Sequence, residues 1–377
     1  MVLSSKIRIY PNSTTRSRLN AIFRLTDYIY NKCITMLDVD GKIPDPKKFL
    51  KSIAKSNLTG KENLSFKMIS LSSQLLVVQK AYTNYIKAKN LGKKCRLKRG
   101  SENIKSFKIS EVSSLRIIDN KYIDIPYVGT VRTRYLRELK GKNVSILVKQ
   151  EAGNVYYLIV NKNVEKNELK INKPPRKSPI GIDLGINYLI TTSDGKQYPC
   201  DKNYTKHKEK LSYLKKEMSR KVKGSNNYNR RLLQYRKENW KIRNKIDDSL
   251  NKLSKRIIRY HSFISMETFS TKELMNKRRK KDMAYMDASI TKLINMIKYK
   301  ANLYDRAFVQ VDKYFPSSQI CSNCGYRESK LKDVSIKNWK CENCGYEHDR
   351  DVNAAKNILK KGKLLYLIAK KWKEGKF

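Results

Sequence analysis

The chain has 377 residues, 40% of them hydrophobic, which suits two or three domains with real cores and excludes a disordered polymer. Its 83 Lys and Arg stand against 34 Asp and Glu, a formal charge of +49. A surface that positive repels itself unless a polyanion neutralises it, so nucleic acid is the expected partner.

A lysine bias from genome composition is the bland alternative, but Asp and Glu are not raised to match. No apolar stretch approaches the roughly 18 residues of a membrane span, and the start MVLSSKIRIYP is too polar for a signal peptide. Seven cysteines, four of them in C-x-x-C pairs, suit a reducing compartment and a metal site rather than a disulfide framework. The expected location is therefore cytoplasmic, with no membrane partner.

In chain order, SKIRIY at residues 5–10 alternates like a strand, and Pro11 stops it. Helical spacing follows from Ser13 to about Leu37, carried by Leu19, Ile22, Phe23, Tyr30, Cys33 and Leu37. After a polar, Pro-marked segment, a second helix is expected from about Ser65 to Asn90, with Leu75, Val78, Tyr82 and Ile86. It runs into the basic stretch KAKNLGKKCRLKRG, where Lys93, Lys94, Arg96, Lys98 and Arg99 are candidate nucleic-acid contacts. Residues 106–162 hold short alternating runs separated by Gly-bearing turns, read as a small β-barrel or curled sheet interrupted early by the helices. NKPPRKSP at 172–179 is the strongest domain boundary.

Beyond it, IGIDLGINYLITT is a largely apolar strand followed by the turn SDGK. Residues 205–262 form a helical hairpin bent at KGSNNYN, with Ile242, Ile246, Leu250, Leu253 and Ile257 on one stripe. Between 201 and 260 there are 20 Lys and Arg against 6 acids. A charged helix face is usually only solvated, but a surplus of one sign favours a phosphate-facing surface. Lys215, Lys216, Arg220, Lys221 and Lys223 are its candidate contacts. FISME is another buried strand, followed by the basic loop NKRRKK, a helix from about Asp287 to Leu303, the strand AFVQVD, and a last helix starting near Asp351.

Two sets of residues carry chemistry. Cys321, Cys324, Cys341 and Cys344 read C-x2-C-x16-C-x2-C, each pair followed by a Gly that lets both thiolates face one ion. Four thiolates make a closed tetrahedral zinc site with no open position, so this zinc is structural. The second set is acidic. Asp183 lies inside the apolar strand GIDLG, where a carboxylate is costly unless paired or metal-bound. The flanking Gly181 and Gly185 leave room for a phosphate backbone to approach. Glu267 ends the apolar strand FISME. Asp349 and Asp351 precede the apolar helix stripe Val352, Ala355, Ile358 and Leu359. Taken singly, each acid has a structural explanation: an internal hydrogen bond, a strand rim, a helix N-cap. Taken together, acids at the ends of apolar elements in a basic protein suit two divalent ions roughly 3.5–4 Å apart, acting on a phosphodiester. Mg²⁺ usually takes only one or two carboxylates per ion, so three acids suffice for a pair. His207, His261 and His348 fit no metallohydrolase spacing, and no Gly-Lys phosphate loop is present.

The order GIDLGINYLITTSDG, basic hairpin, ISME, YFPSSQICSNCG, CENCGY and DRDVNAAKNIL resembles the TnpB family. These are RNA-guided nucleases of insertion sequences, related to type V CRISPR effectors and Fanzor proteins. The resemblance extends over nearly the whole chain through KIRIYP, YIYNKCI, RLKRGSENIKSFKIS and LKKEMSRKVKGSNN. It implies an α+β multidomain protein: an N-terminal β-barrel (wedge-like) domain at 1–12 and 91–171, a helical recognition insertion at 13–90, and a RuvC-type, RNase H-like α/β nuclease domain at 178–377. The last would carry the inserted hairpin and a zinc ribbon at 314–348. It also implies a catalytic triad of Asp183, Glu267 and Asp351, the last chosen over Asp349 because the family's D-x-N-A-A unit begins there. Two Mg²⁺, a guide RNA from the element's own end, and a double-stranded DNA target with a short flanking motif follow, with a separate transposase as an accompanying partner. A Fanzor-type member would be nuclear, and NKRRKK would suit a nuclear signal. Two other functions remain open here: a nuclease-silent RNA-guided repressor, and a strand-transfer transposase, although transposases commonly order their acids D-D-E.

Overall fold

The computed structural model describes residues 2–43, 45–58, 65–98, 105–110, 115–119, 121–134, 141–151, 154–165, 179–185, 188–269, 289–333 and 335–374. Arg99, residues 172–178 and the NKRRKK loop lie outside the described residues. The chain divides into two compact units, Met1–Lys170 and Ile171–Phe377. Among the described residues, no helix is long and apolar enough to cross a membrane.

In the first unit, β1 (Val2–Tyr10) leads into α1 (Ser13–Asp40). Asn12 caps α1 by accepting the Thr15 N–H, and Gly41 ends it in the left-handed region that a side chain would disfavour. α2 (Pro46–Leu58) occupies what the sequence suggested was only a polar segment. Its signal is DPKKFLKSI: the Asp45 carboxylate accepts the Lys47 and Lys48 N–H groups, Pro46 takes the first helical position, and Leu50 and Ile53 are buried. α3 (Leu71–Asn90) starts six residues later than expected, after the Ser70 cap. It buries Ser73, Gln74, Val77, Val78 and Ala81 and leaves Tyr82 exposed, so its inward stripe is rotated from the one anticipated.

The strands β2 (Ser106–Ile109), β3 (Arg116–Asp119), β4 (Tyr122–Ile125), β5 (Gly129–Thr133), β6 (Lys142–Glu151) and β7 (Val155–Asn163) join β1 in one seven-stranded antiparallel sheet. Its order is β2-β6-β7-β1-β5-β4-β3. No closed barrel is seen: the order ends at β2 on one side and β3 on the other. All four residues of β3 are exposed, so it reads as an edge strand and not as a barrel stave. Helices and sheet bury one shared core, in which Ile9, Phe23, Phe107 and Leu158 meet. The rings of Phe23 and Phe107 pack edge-on, 5.8 Å apart.

In the second unit, IGIDLGINYLITT is two strands: β8 (Ile180–Leu184) pairs antiparallel with β9 (Tyr188–Thr192), which pairs with β10 (Gln197–Pro199). A short α4 (Asn203–Lys206) precedes the hairpin arms α5 (Lys208–Ser219) and α6 (Asn226–Tyr260). The buried Glu238 of α6 ties the arms together, 2.8 Å from His207 and 3.2 Å from Lys210. Then come β11 (Phe263–Glu267), α7 (Ile290–Leu303) and β12 (Ala307–Val311), the two-stranded ribbon β13 (Asn338–Lys340) and β14 (Glu347–Asp349), and the long α8 (Arg350–Lys373). The five-stranded sheet has the order β10-β9-β8-β11-β12, with β8, β11 and β12 parallel. The four apolar residues of β8, Ile180, Gly181, Ile182 and Leu184, are buried, as expected for a strand covered on both faces.

Candidate functional site

The acids meet because of a register. β11 pairs with β8 so that Ser265 lies beside Gly181 and Met266 beside Ile182. One step further puts Asp183 abreast of Glu267 on strands about 4.8 Å apart. Side chains alternate along a strand, so Asp183 shares a face with Gly181, and Glu267 with Ser265. That face is covered by α8. A Cβ at Gly181 would collide with the Ala355 backbone oxygen and lie 2.7 Å from the Leu359 Cβ, and Ser265 donates its hydroxyl to the Ile358 oxygen at 2.8 Å. Two residues along β8 from Gly181 is Asp183. One helical turn back from Ala355 is Asp351. Strand and helix thus bring Glu267 and Asp351 close enough for their charges to act on Asp183.

This geometry corrects one sequence expectation. Gly181 and Gly185 do not open the strand to a phosphate backbone. Gly181 admits the Ala355 oxygen, and a Cβ at Gly185 would lie 2.7 Å from the Tyr188 oxygen.

The electrostatics of the acids are those of an anionic cluster. Burial pushes the Asp183 carboxyl well above the usual range, and the negative charges of Glu267 and Asp351 push the same way; Lys337 and Arg350 oppose them. Burial pushes Glu267 up to about 7, against a Leu184 N–H that donates to its Oε1 at 3.3 Å. Lys337 Nζ lies 3.4 Å from both Asp351 oxygens. The penalty that burial and the neighbouring acids impose on Asp183 would be relieved by a hard divalent cation, which prefers oxygen ligands.

The two aspartates of DRD separate cleanly. Asp349 caps α8: its Oδ1 accepts the Asp351 N–H at 3.0 Å and the Val352 N–H at 2.9 Å. Asp351 sits in the first turn, where it pairs with Lys337 and its charge acts on Asp183. Two acids two apart before a helix give no local way to tell from the sequence which of them is the cap.

α8 also grips the cysteine segment through polar residues that sequence reasoning missed. The buried Arg350 guanidinium donates to the Leu331 oxygen at 2.9 Å and to the Asp333 oxygen. Asn353 accepts the Ser322 N–H at 2.8 Å and donates to the Ile320 oxygen at 2.7 Å; Asn357 donates to the Ser317 oxygen at 2.8 Å. The available signal was Asn353 and Asn357, four apart, on the apolar stripe of the helix.

The four predicted cysteines converge. Their sulfurs all lie within 4.8 Å of one another, and the pairs Cys321–Cys344 and Cys324–Cys341 are 3.7 Å apart. A tetrahedron with Zn–S bonds of about 2.3 Å has edges of about 3.8 Å, so this donor set fits zinc. The knuckles are near-copies. Gly325 and Gly345 adopt φ of 83° and 70°, each donating to the first cysteine's carbonyl at 2.9 Å. Each knuckle's Asn donates across to the other knuckle: Asn343 to Cys324 Sγ at 3.5 Å, Asn323 to Cys344 Sγ at 3.7 Å. The Asn343 amide is the main cause that brings the Cys324 thiol down to about 6, whereas burial pushes Cys321 up to about 11. His348, to which the sequence gives no role, is buried beside the cluster, with Nε2 3.0 Å from Cys321 Sγ and its ring stacked on Trp339.

The basic candidates differ in environment. Lys93, Lys94, Arg96, Lys215, Lys216, Arg220, Lys221 and Lys223 are exposed. Lys98 is paired internally: its Nζ is 3.0 Å from Asp27 and 4.4 Å from the Tyr30 ring centroid.

Two family models match the chain: OrfB_IS605, described as "Probable transposase", over residues 158–278, and the Cas12f1-like TNB domain over residues 291–358. A Streptomyces pristinaespiralis protein named "Putative RNA-guided DNA endonuclease" is 36% identical over 189 residues, covering 50% of this chain and 46% of the relative. Escherichia coli K12 InsQ, with the same description, is 26% identical over 260 residues, 65% of this chain and 63% of its own length. The chain therefore spans less than two thirds of either relative. The TnpB-like protein L770 of Acanthamoeba polyphaga mimivirus is 25% identical over 405 aligned positions, 96% of this chain and 73% of the relative. Among solved structures, CasPhi-2 (Cas12j) bound to crRNA aligns over 96% of this chain and 98% of that one, at 8% identity and a TM-score of 0.49. The chain resembles the TnpB family by sequence.

Proposed function

We propose that this chain is an RNA-guided DNA endonuclease of a transposable element, hydrolysing target phosphodiesters at Asp183, Glu267 and Asp351. The observation that carries the reading is the convergence of these acids through the β8–β11 register and the seat of α8 on Gly181. In this reading residues 1–12 and 91–171 are the wedge-like domain and 13–90 the recognition helices, while 178–377 are a RuvC-like nuclease domain that includes the zinc ribbon. The mixed sheet with helices packed on it and acids at neighbouring strand ends supports an RNase H-like assignment.

The three carboxylates would hold two Mg²⁺ ions, which supply an activated water and stabilise the leaving oxygen. The chain's own groups do the rest. The N-terminus of α8 lies beside the acids and adds a field favourable to a phosphate. The cysteines would hold one structural Zn²⁺. Arg350, Asn353 and Asn357 then fix the ribbon to the helix that carries Asp351. The +49 charge provides the electrostatic attraction for RNA and DNA. The guide would come from the element's own end and pair with the target, while the protein reads duplex shape and a short flanking motif. A separate transposase would move the element. The site of action is wherever the element's DNA resides: the nucleoid in a prokaryote, the nucleus in a Fanzor-type host.

Sequencing the RNA that copurifies with the protein tests this reading. One discrete RNA whose end matches DNA flanking the element is expected. A heterogeneous sample of cellular RNA with no such species would contradict it.

A further inference from the structure

A cavity of about 150 Å³ lies between the start of β8, the β9–β10 hairpin and the last turn of α6. Ile180, Thr192 and Ile257 are buried and form its floor; Lys196, Tyr198, Arg256, Tyr260 and His261 complete it. It is separate from the carboxylates. Ile180 begins β8, whereas Asp183 lies near its end, and Ile180 faces away from the side that Gly181 and Asp183 share.

We propose that this cavity seats one unstacked pyrimidine base of a single-stranded nucleic acid, with the adjoining phosphate on Arg256. Its composition is that of a base site: Ile180 and Ile257 with one hydroxyl, that of Thr192, in the floor, two tyrosines at the sides and a cationic rim. Arg256 already lies over the Tyr198 ring, 5.6 Å from its centroid, as a guanidinium that stacks on one planar group while reaching outward. Lys196 is held by Asp194 at 2.6 Å, and among the described residues no ion pair is seen for Arg256, which leaves its charge for a phosphate. Size sets the base. Its volume of about 150 Å³ is that of a cavity that accepts one benzene ring, closer to a six-membered pyrimidine than to a fused purine. Each stacked base is worth on the order of 1–3 kcal/mol, about 5- to 160-fold in affinity.

The inference rests on the nucleic-acid reading above, and its test separates the two. Labelled single-stranded oligouridylate is titrated against the full chain and against R256A/Y260A, both exposed positions, with exposed K298A as a charge control. Oligoadenylate, oligodeoxythymidylate and an abasic strand are the comparison ligands. Expected are tighter binding of oligouridylate than of oligoadenylate or the abasic strand, and a loss of ten-fold or more in R256A/Y260A against less than three-fold in K298A. Photocrosslinks from 4-thiouridine should map to the peptides bearing Tyr198 and Tyr260. Equal losses in both variants, no pyrimidine preference, or crosslinks confined to other peptides would overturn the pocket alone. Whichever of oligouridylate and oligodeoxythymidylate binds more tightly identifies the source strand. No binding by the unmodified chain would overturn both the pocket and the nucleic-acid reading.

Discussion

The backbone oxygen of Ala355 occupies the space that a side chain at Gly181 would need. That contact sets how closely α8 lies on β8, and hence how far Asp351 is from Asp183. Gly181→Ala should push the helix outward. Overpacking of this kind costs about 1–3 kcal/mol, so the melting temperature should fall, and Mg²⁺-dependent cleavage should fall at least ten-fold. A variant with unchanged stability and activity would show that the helix has slack at this point.

Asp349 and Asp351 should fail in different ways. Asp349→Ala removes the cap that accepts two α8 N–H groups, costing about 1 kcal/mol of stability and only a few-fold in activity. Asp351→Ala should abolish cleavage while relieving repulsion at Asp183, leaving the fold at least as stable. Thermal melts and plasmid cleavage on both variants check this; equal loss of cleavage would contradict it.

A pH dependence follows from Glu267. Its carboxyl is pushed from about 4.5 up to about 7 in the fold, so the folded protein holds that proton more tightly than the unfolded chain. The metal-free fold is then favoured below about 4.5 and loses stability as the pH rises through about 7, by up to about 3 kcal/mol from this group. Glu267→Gln should match the unmodified protein near pH 4.5 and melt higher than it at pH 8, and Mg²⁺ should close the gap. Melting curves that stay parallel across this range would contradict the assignment.

The ribbon should bind one zinc per chain, and Cys341→Ser should lose it. The Asn343 amide holds the Cys324 thiol down near 6, so Asn343→Ala should release zinc at a higher pH than the unmodified chain. Metal analysis across a pH series measures this. Because Arg350, Asn353 and Asn357 join the ribbon to α8, zinc loss should also lower cleavage without touching a carboxylate.

The parts legible in the sequence were those with a strong local signature. α1 showed its period through Leu19, Ile22 and Phe23, and the cysteines announced themselves by spacing. The resemblance to TnpB proteins supplied the choice of acids, and the fold gives it a physical basis in a strand register. Non-local matters were not legible. Whether seven strands close depends on their edges, not on alternation within each. The roles of Gly181, Arg350 and His348 depend on what packs against them from segments far along the chain. α2 is hidden for a different reason: Asp45-Pro46 marks a helix start as readily as a loop.

The central claim is that Asp183, Glu267 and Asp351 form one hydrolytic site directed by a guide. The most direct measurement is cleavage of a plasmid carrying the guide-matched sequence and flanking motif by the purified ribonucleoprotein. Cutting is expected with Mg²⁺, absent with EDTA or with a mismatched guide, and absent in Asp183→Ala, Glu267→Ala and Asp351→Ala, each of which still retains RNA. Guide-dependent binding without any cutting by the unmodified protein, or cutting that survives loss of these acids, would contradict the account.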